Sequence, residues 1–258
     1  MTTAHFDSDY FHYTLEGKRD APVVMFSNSL GTTESMWAAQ TEVLRQNFTV
    51  LTYDARGHGA SIATKGPYTL EQLGNDVIKL LDHLDLSQVA FCGISMGGVT
   101  GQWLAIHAPQ RISQLIICNS AAKIGTPEAW QGRADLVRAQ GMAPVADGAA
   151  PRWFTEAFIA SQPSTVSSLT DALRATNPEG YASCCEALAY ADLREEIATI
   201  TAPTLIIAGW HDPVTTTTDA DFMASRIAGS KRVDLPASHL SNIEASQAFS
   251  QTLMQFLV

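Results

Sequence analysis

Basic residues are scarce in this chain: Lys and Arg number 16 against 26 Asp and Glu, a net charge of -10. Such a balance repels phosphate backbones and acidic membrane surfaces at long range, so nucleic acid is not an expected partner. Long apolar runs are missing too. No segment approaches the roughly 18 apolar residues of a membrane span, and the opening Met1-Thr2-Thr3-Ala4-His5-Phe6-Asp7 has no basic stretch leading into an apolar one. No membrane contact is expected, and a cytoplasmic location is the remaining expectation. Cysteine is limited to Cys92, Cys118, Cys184 and Cys185, with no Cys-x-x-Cys. Buried free thiols in a reducing compartment are expected rather than a zinc site or a disulfide framework. No Gly-x-x-x-x-Gly-Lys-Ser/Thr run, His-Glu-x-x-His run or clustered His/Cys set occurs, and Gly57-His58-Gly59 lacks the third glycine of a dinucleotide loop. No nucleotide, metal or other cofactor is therefore expected. Internal repeats and low-complexity tracts are also missing, and the sequence carries no reading of oligomeric state.

What is present is ample core-forming material. With 258 residues, 46% of them hydrophobic, the chain can build one domain with a sizeable core and still carry an insertion. Apolar runs at Pro22–Phe26, Phe48–Tyr53, Val89–Cys92, Leu115–Cys118 and Thr204–Ala208 are apolar on both faces, the pattern of parallel strands covered by helices on each side. Phe11–Leu15 alternates instead and reads as part of an antiparallel edge hairpin. Leu70, Leu73, Val77, Leu80, Leu81 and Leu84 make one helical stripe, with Thr69 and Gln72 spaced as a capping box. Ala245, Ala248, Phe249, Leu253 and Phe256 predict a closing helix. The fold class is α/β, a mostly parallel, doubly wound sheet. From residue 121 to 196 the alternation fails, and helix-like stretches are interrupted by Pro127, Pro144, Pro151, Pro163 and Pro178. The expected organisation is a core of residues 1–120 and 197–258 with a helical cap subdomain at 121–196.

The strongest chemical signal is Gly93-Ile94-Ser95-Met96-Gly97-Gly98, which follows a strand and precedes a helical stretch. Gly-x-Ser-x-Gly in that context is a nucleophile elbow, in which small flanking residues let strand and helix approach around a strained serine. Ser95 is the candidate nucleophile. The helix N-terminus brings partial positive charge to it, and the Met96 N–H points to where an oxyanion would form.

A serine hydroxyl needs a histidine base, itself held in one tautomer by a carboxylate. Of the histidines after Ser95, His107 lies in a helix and His211 serves a turn, whereas His239 follows the strand Arg232–Leu235 and precedes the last helix. Asp212 follows the strand ending at Ala208 and reaches the same sheet edge. Asp219 and Asp221 read as a solvated helix face, and Asp54 and His58 as a structural loop.

With these residues in place the sequence resembles the α/β-hydrolase superfamily over essentially its full length, and within it the 3-oxoadipate enol-lactonases. The segments Ser27-Asn28-Ser29-Leu30-Gly31-Thr32, Tyr53-Asp54-Ala55-Arg56-Gly57-His58-Gly59, Cys118-Asn119-Ser120-Ala121-Ala122-Lys123-Ile124-Gly125 and Glu179-Gly180-Tyr181-Ala182-Ser183 carry the narrower likeness, with Trp37 and Ser95-Met96-Gly97-Gly98. Asn28-Ser29 replaces the His-Gly of many superfamily members, as it does in the enol-lactonases. Cys184-Cys185 departs from that family, which has Asn before the second Cys. The resemblance implies that Leu30 N–H is the second oxyanion donor and that a helical cap follows the strand near Cys118. It also implies a small anionic lactone as substrate, opened by water to 3-oxoadipate in aromatic catabolism.

A free carboxylate on that substrate needs a local cation in an otherwise acidic protein. The insertion offers Lys123, Arg133, Arg138 and Arg152, with Trp130 and Trp153. Trp130 and Arg133, three apart on one helix face, are the candidate substrate-binding pair. Two other functions use the same constellation: a carboxylesterase or perhydrolase with a different pocket, and a ligand-binding receptor with little turnover.

Overall fold

Residues apolar on both faces form the middle of an eight-stranded sheet in the computed structural model, which describes residues 2–6 and 8–258. Met1 and Asp7, part of the opening segment read above, lie outside the described residues. The strands are β1 Thr2–Phe6, β2 Asp9–Gly17, β3 Val23–Ser27, β4 Thr49–Tyr53, β5 Val89–Ile94, β6 Ile112–Cys118, β7 Thr204–Gly209 and β8 Lys231–Leu235. They lie in the order β1-β2-β4-β3-β5-β6-β7-β8. Strands β3 to β8 are parallel, and β2 runs antiparallel to both its neighbours. Every residue of β5 and of β7 is buried, as a strand covered on both faces requires. The expected edge hairpin is the β1–β2 pair, with β1 outermost. β6 starts three residues earlier than the apolar run, because Ile112 and the polar Gln114 pair in the ladder, with Ser113 bulged between them.

From β3 the chain first winds outward to β4, then crosses back to β5 and continues to β6 on the other side. Ligands of doubly wound sheets bind at such a reversal, beyond the carboxyl ends of the strands. Here the reversal falls between Ser27 and Gly93, which are register partners at the ends of β3 and β5.

Helices α1 Ala38–Leu44, α2 Leu70–His83 and α3 Met96–His107 flank the first half of the sheet. Leu70, Leu73, Val77, Leu80 and Leu81 of the α2 stripe are buried, Leu84 lies half-buried just past the helix end, and Thr69 Oγ1 accepts the Gln72 N–H at 3.0 Å. A reciprocal capping box forms elsewhere, between Thr216 and Asp219 at the start of α10 Thr217–Arg226, so Asp219 caps that helix rather than simply facing solvent. Between β6 and β7 lie α4 Pro127–Gln140, α5 Ala143–Asp147, α6 Ala150–Trp153, α7 Glu156–Ser161, α8 Pro163–Arg174 and α9 Pro178–Tyr190. The five prolines expected to interrupt this region sit instead in the first turns of α4, α5, α6, α8 and α9. A first-turn residue gives no N–H to the helix, so proline starts these helices instead of breaking them. The chain closes with α11 Ser241–Glu244 and α12 Ser246–Leu257. Among the described residues no helix is long and apolar enough to cross a membrane.

Candidate active site

Ser95 sits between β5 and α3 at φ 54° and ψ -115°, a left-handed conformation that a non-glycine residue adopts only when its surroundings enforce it. Those surroundings are visible. A Cβ at Gly93 would lie 2.2 Å from the Gly97 carbonyl carbon, and one at Gly97 would lie 2.3 Å from Ser27 O. Strand and helix therefore close around Ser95 only with glycine at both flanks. The Ser95 N–H donates to the carbonyls of Cys118 and Asn119 at 3.1 Å each, and Ser120 Oγ donates to Ser95 O at 2.8 Å. The nucleophile candidate is clamped from the neighbouring strand end, and its side chain lines a cavity.

His239 lies in the loop after β8 and is 3% exposed; its Nδ1 meets Asp212 Oδ2 at 2.8 Å. The same Oδ2 accepts from Asn119 Nδ2 at 3.0 Å and Thr215 Oγ1 at 2.8 Å, while Oδ1 accepts the N–H groups of Val214 and Thr215. Burial alone would raise the Asp212 pKa. The His239 imidazole, the Asn119 amide and the Val214 N–H outweigh it, so the carboxyl sits below its ordinary range and is ionised. An ionised acid bonded to Nδ1 leaves the Nε2 of His239 as the basic nitrogen, and His239 lines the same cavity as Ser95.

Between β3 and the 3-10 turn at Glu34–Trp37 runs the loop that carries Leu30. Asn28 Nδ2 donates to Tyr53 O at 2.8 Å, Asn28 Oδ1 accepts Trp37 Nε1–H at 2.9 Å, and Gly97 N–H donates to Asn28 O at 3.1 Å. Asn28 thus ties this loop both to β4 and to the elbow. Gly31 N–H donates to His58 Nε2 at 2.8 Å. His58 Nδ1 is 3.1 Å from Arg56 O and must donate there, which fixes the neutral tautomer; burial lowers its pKa to about 4. The loop residue His58 therefore positions the chain around Leu30. Among the described residues, neither the Leu30 nor the Met96 N–H is given to another backbone carbonyl. Leu30 lines the cavity, and the Met96 side chain lies apart from it beside Tyr53 and Leu73.

The cavity measures about 160 Å³ and is lined by Ser95, His239, Trp130, Arg133, Arg152 and Tyr181, among others. A space of about 150 Å³ accommodates a single benzene ring, so the site suits a one-ring molecule with a short side chain. Trp130 and Arg133 are brought together as expected, with the guanidinium 4.9 Å from the indole centroid. The Trp130 N–H is already donated to Ile124 O at 2.6 Å, so this side chain stacks Arg133 and has no donor left for a ligand. Two rival cations are used elsewhere: Lys123 pairs with Asp192, and Arg138 forks onto Glu179 and Glu186. Of the other sequence candidates, His107 is exposed near Glu196 and Asp221 pairs with Arg232. His211 serves its turn through the backbone, its N–H donating to Ala237 O.

Asn119 is the residue that sequence reasoning quoted without giving it a role. It follows β6 at φ 41°, and it links Asp212, Ser238 O and Ser241 Oγ. Its signal was positional: a polar residue at the carboxyl end of a parallel strand, beside the strand that carries Ser95.

Serine, acid and histidine in that chain order, after the parallel strands β5, β7 and β8, with the serine on a strand-to-helix elbow, define the α/β-hydrolase class. The α/β hydrolase fold family model matches residues 22–246, and the chain belongs to that family. More particularly, it is similar to 3-oxoadipate enol-lactonase 2 of Acinetobacter baylyi, with 53% identity over 242 residues covering 94% of this chain and 91% of the relative. Similarity to 3-oxoadipate enol-lactonase 1 of the same organism is 44% over 243 residues, with the same coverage. Among solved structures, the enol-lactonase of Burkholderia xenovorans LB400 superposes with a TM-score of 0.97 at 46% identity, covering 99% of each chain.

Proposed function

We propose that this chain is a serine hydrolase that opens 3-oxoadipate enol-lactone with water, giving 3-oxoadipate, in the breakdown of aromatic compounds. Ser95 is the nucleophile, His239 the general base and Asp212 the acid that orients it. The carrying observation is that a strained serine and a buried histidine bonded to Asp212 share one ring-sized cavity with guanidinium groups that, among the described residues, no carboxylate neutralises.

Ser95 Oγ attacks the lactone carbonyl as His239 Nε2 takes its proton. The oxyanion is held by the Leu30 and Met96 N–H groups, the two amides that the surrounding backbone leaves free. Collapse breaks the bond to the ring oxygen, which departs as an enol once His239 returns the proton. Water, activated by the same imidazole, then releases the acyl group, and the enol tautomerises to the 3-oxo diacid. Arg133, stacked on Trp130, holds the free carboxylate of the substrate. Residues 121–196 act as a cap over a core of 1–120 and 197–258, since α4, α6 and α9 supply Trp130, Arg133, Arg152 and Tyr181 to the cavity. A cytoplasmic setting belongs to the same proposal, supported by four buried cysteines, all of them free thiols.

The test is ultraviolet loss of the enol-lactone. Wild type is expected to turn it over and Ser95→Ala is not. An active-site serine probe and p-nitrophenyl acetate separate the alternatives: labelling with ester but no lactone turnover marks a general esterase, and no labelling marks a binding protein. Arg133→Ala is expected to raise KM for the anionic lactone and to spare the neutral ester. Equal loss on both substrates, or on neither, rejects its role.

A further inference from the structure

Arg152 has no place in the mechanism so far. It is a second guanidinium in the cavity, although the proposed substrate carries only one carboxylate. Every other arginine among the described residues, apart from Arg133 and the surface residue Arg19, lies within ion-pair distance of a carboxylate. Two cations without acid partners therefore face the same small space in a protein of net charge -10. One nitrogen of Arg152 donates to Val145 O at 3.0 Å, and its other N–H groups remain available. Burial, with the nearby Arg133 charge, lowers its pKa from the ordinary arginine value, as expected for a cation awaiting an anion.

Its position indicates which anion. The next residue, Trp153, accepts the Leu240 N–H at 3.1 Å, and Leu240 directly follows His239. The wall carrying Arg152 is fastened further by Glu244, which accepts from Thr155 N at 3.2 Å and from Ser238 N at 2.7 Å. The backbone that carries Arg152 is thus fastened to the loop of the imidazole, and Arg152 lines the same cavity as His239. Arg133 stands on α4, whose Trp130 is bonded back to the chain leaving β6. The general base must later protonate the leaving group, so the leaving oxygen lies within hydrogen-bond reach of His239, away from the oxyanion donors.

We propose that Arg152 stabilises the negative charge that develops on the departing ring oxygen, while Arg133 holds the carboxylate present from the start. This rests on the reading of the chain as a serine hydrolase of an enol-lactone. As the Ser95 Oγ–carbon bond forms and the carbon–ring oxygen bond breaks, the electron pair moves onto that oxygen and the conjugated carbon as an enolate. His239 then returns the proton it took from Ser95. The enolate oxygen and the free carboxylate are two local negative charges, and the two guanidinium groups that line the cavity match them in number and sign.

The experiment compares wild type, Arg152→Met and Arg133→Ala on the enol-lactone, and wild type and Arg152→Met on neutral aryl acetates of graded leaving-group pKa. Arg152→Met is expected to lower kcat on the lactone about 10- to 100-fold, with KM changed by less than about 3-fold. On the aryl acetates log kcat/KM should fall more steeply with leaving-group pKa than in wild type. An unchanged slope, or a rise in KM like that of Arg133→Ala, overturns the proposal. Should Arg152→Met not fold, Arg152→Gln is read in the same way. If wild type leaves the lactone untouched, the substrate assignment fails by itself, and the aryl acetate series still decides the role of Arg152.

Discussion

Asn119 donates to the same oxygen of Asp212 that binds His239, at 3.0 Å, across 93 residues of sequence. The carboxylate proposed to orient His239 is therefore itself oriented, by a side chain from the strand end next to the elbow. Asn119→Ala is expected to reduce kcat for p-nitrophenyl acetate about 10- to 100-fold, the worth of a hydrogen bond to a buried charge, while leaving KM nearly unchanged. Asp212→Asn should lose about 10⁴-fold. Steady-state kinetics on both variants checks this, and an Asn119→Ala enzyme with wild-type kcat would remove Asn119 from the site.

The elbow depends on Gly97, where a Cβ would fall 2.3 Å from Ser27 O and 2.6 Å from Ser27 C. Backbone on β3 cannot move aside as a side chain can. Gly97→Ala should destabilise the fold by about 1–3 kcal/mol and displace Ser95. Gly132→Ala is the control, since nothing lies within 4 Å of a Cβ there. Urea denaturation of the two variants should separate them clearly.

His58 is buried and neutral, with its pKa lowered to about 4 from an unfolded value near 6.5. Between those two values the unfolded chain binds a proton that the folded chain does not. Stability consequently falls as pH drops from about 6.5 to 4, by on the order of 3 kcal/mol from this group, and is fully retained above 6.5. A protonated Nε2 would also face the Gly31 N–H donor to donor. His58→Gln keeps an acceptor without the titration, and should show a shallower loss of stability between pH 6.5 and 5. Parallel slopes for the two proteins over that range would count against this account.

Glu244 joins two regions of the chain, accepting from Thr155, 89 residues before it, and from Ser238, the residue before His239. Glu244→Ala should cost about 2 kcal/mol. It should also speed amide hydrogen exchange both at residues 153–158 and at 238–240. Faster exchange in only one of these segments would show that the carboxylate does not couple them.

Much of the site was legible because its signals are local. A strained serine needs glycine close by on both sides, so Gly93 and Gly97 announce Ser95 within five residues. Asp212 and His239 could be placed because parallel strands deliver the residues that follow them to a single edge. The insertion was readable as helical, but its prolines were misread as interruptions. Proline leaves the same mark on a sequence whether it ends one helix or begins the next, and only the backbone traced through α4 to α9 distinguishes the two.

Sequence by itself determined the fold class and the strand-to-helix elbow at Ser95, since each follows from periodicity or from close steric demands along the chain, and it offered Asp212 and His239 as the candidate partners. The tertiary structure decided which partners remain unpaired. Among the described residues Lys123 and Arg138 find carboxylates while Arg133 and Arg152 do not, His58 is committed to Gly31, and Asn119 to Asp212. Side-chain pairing depends on distances between residues tens of positions apart, and those distances exist only after the sheet and its inserted helices have packed.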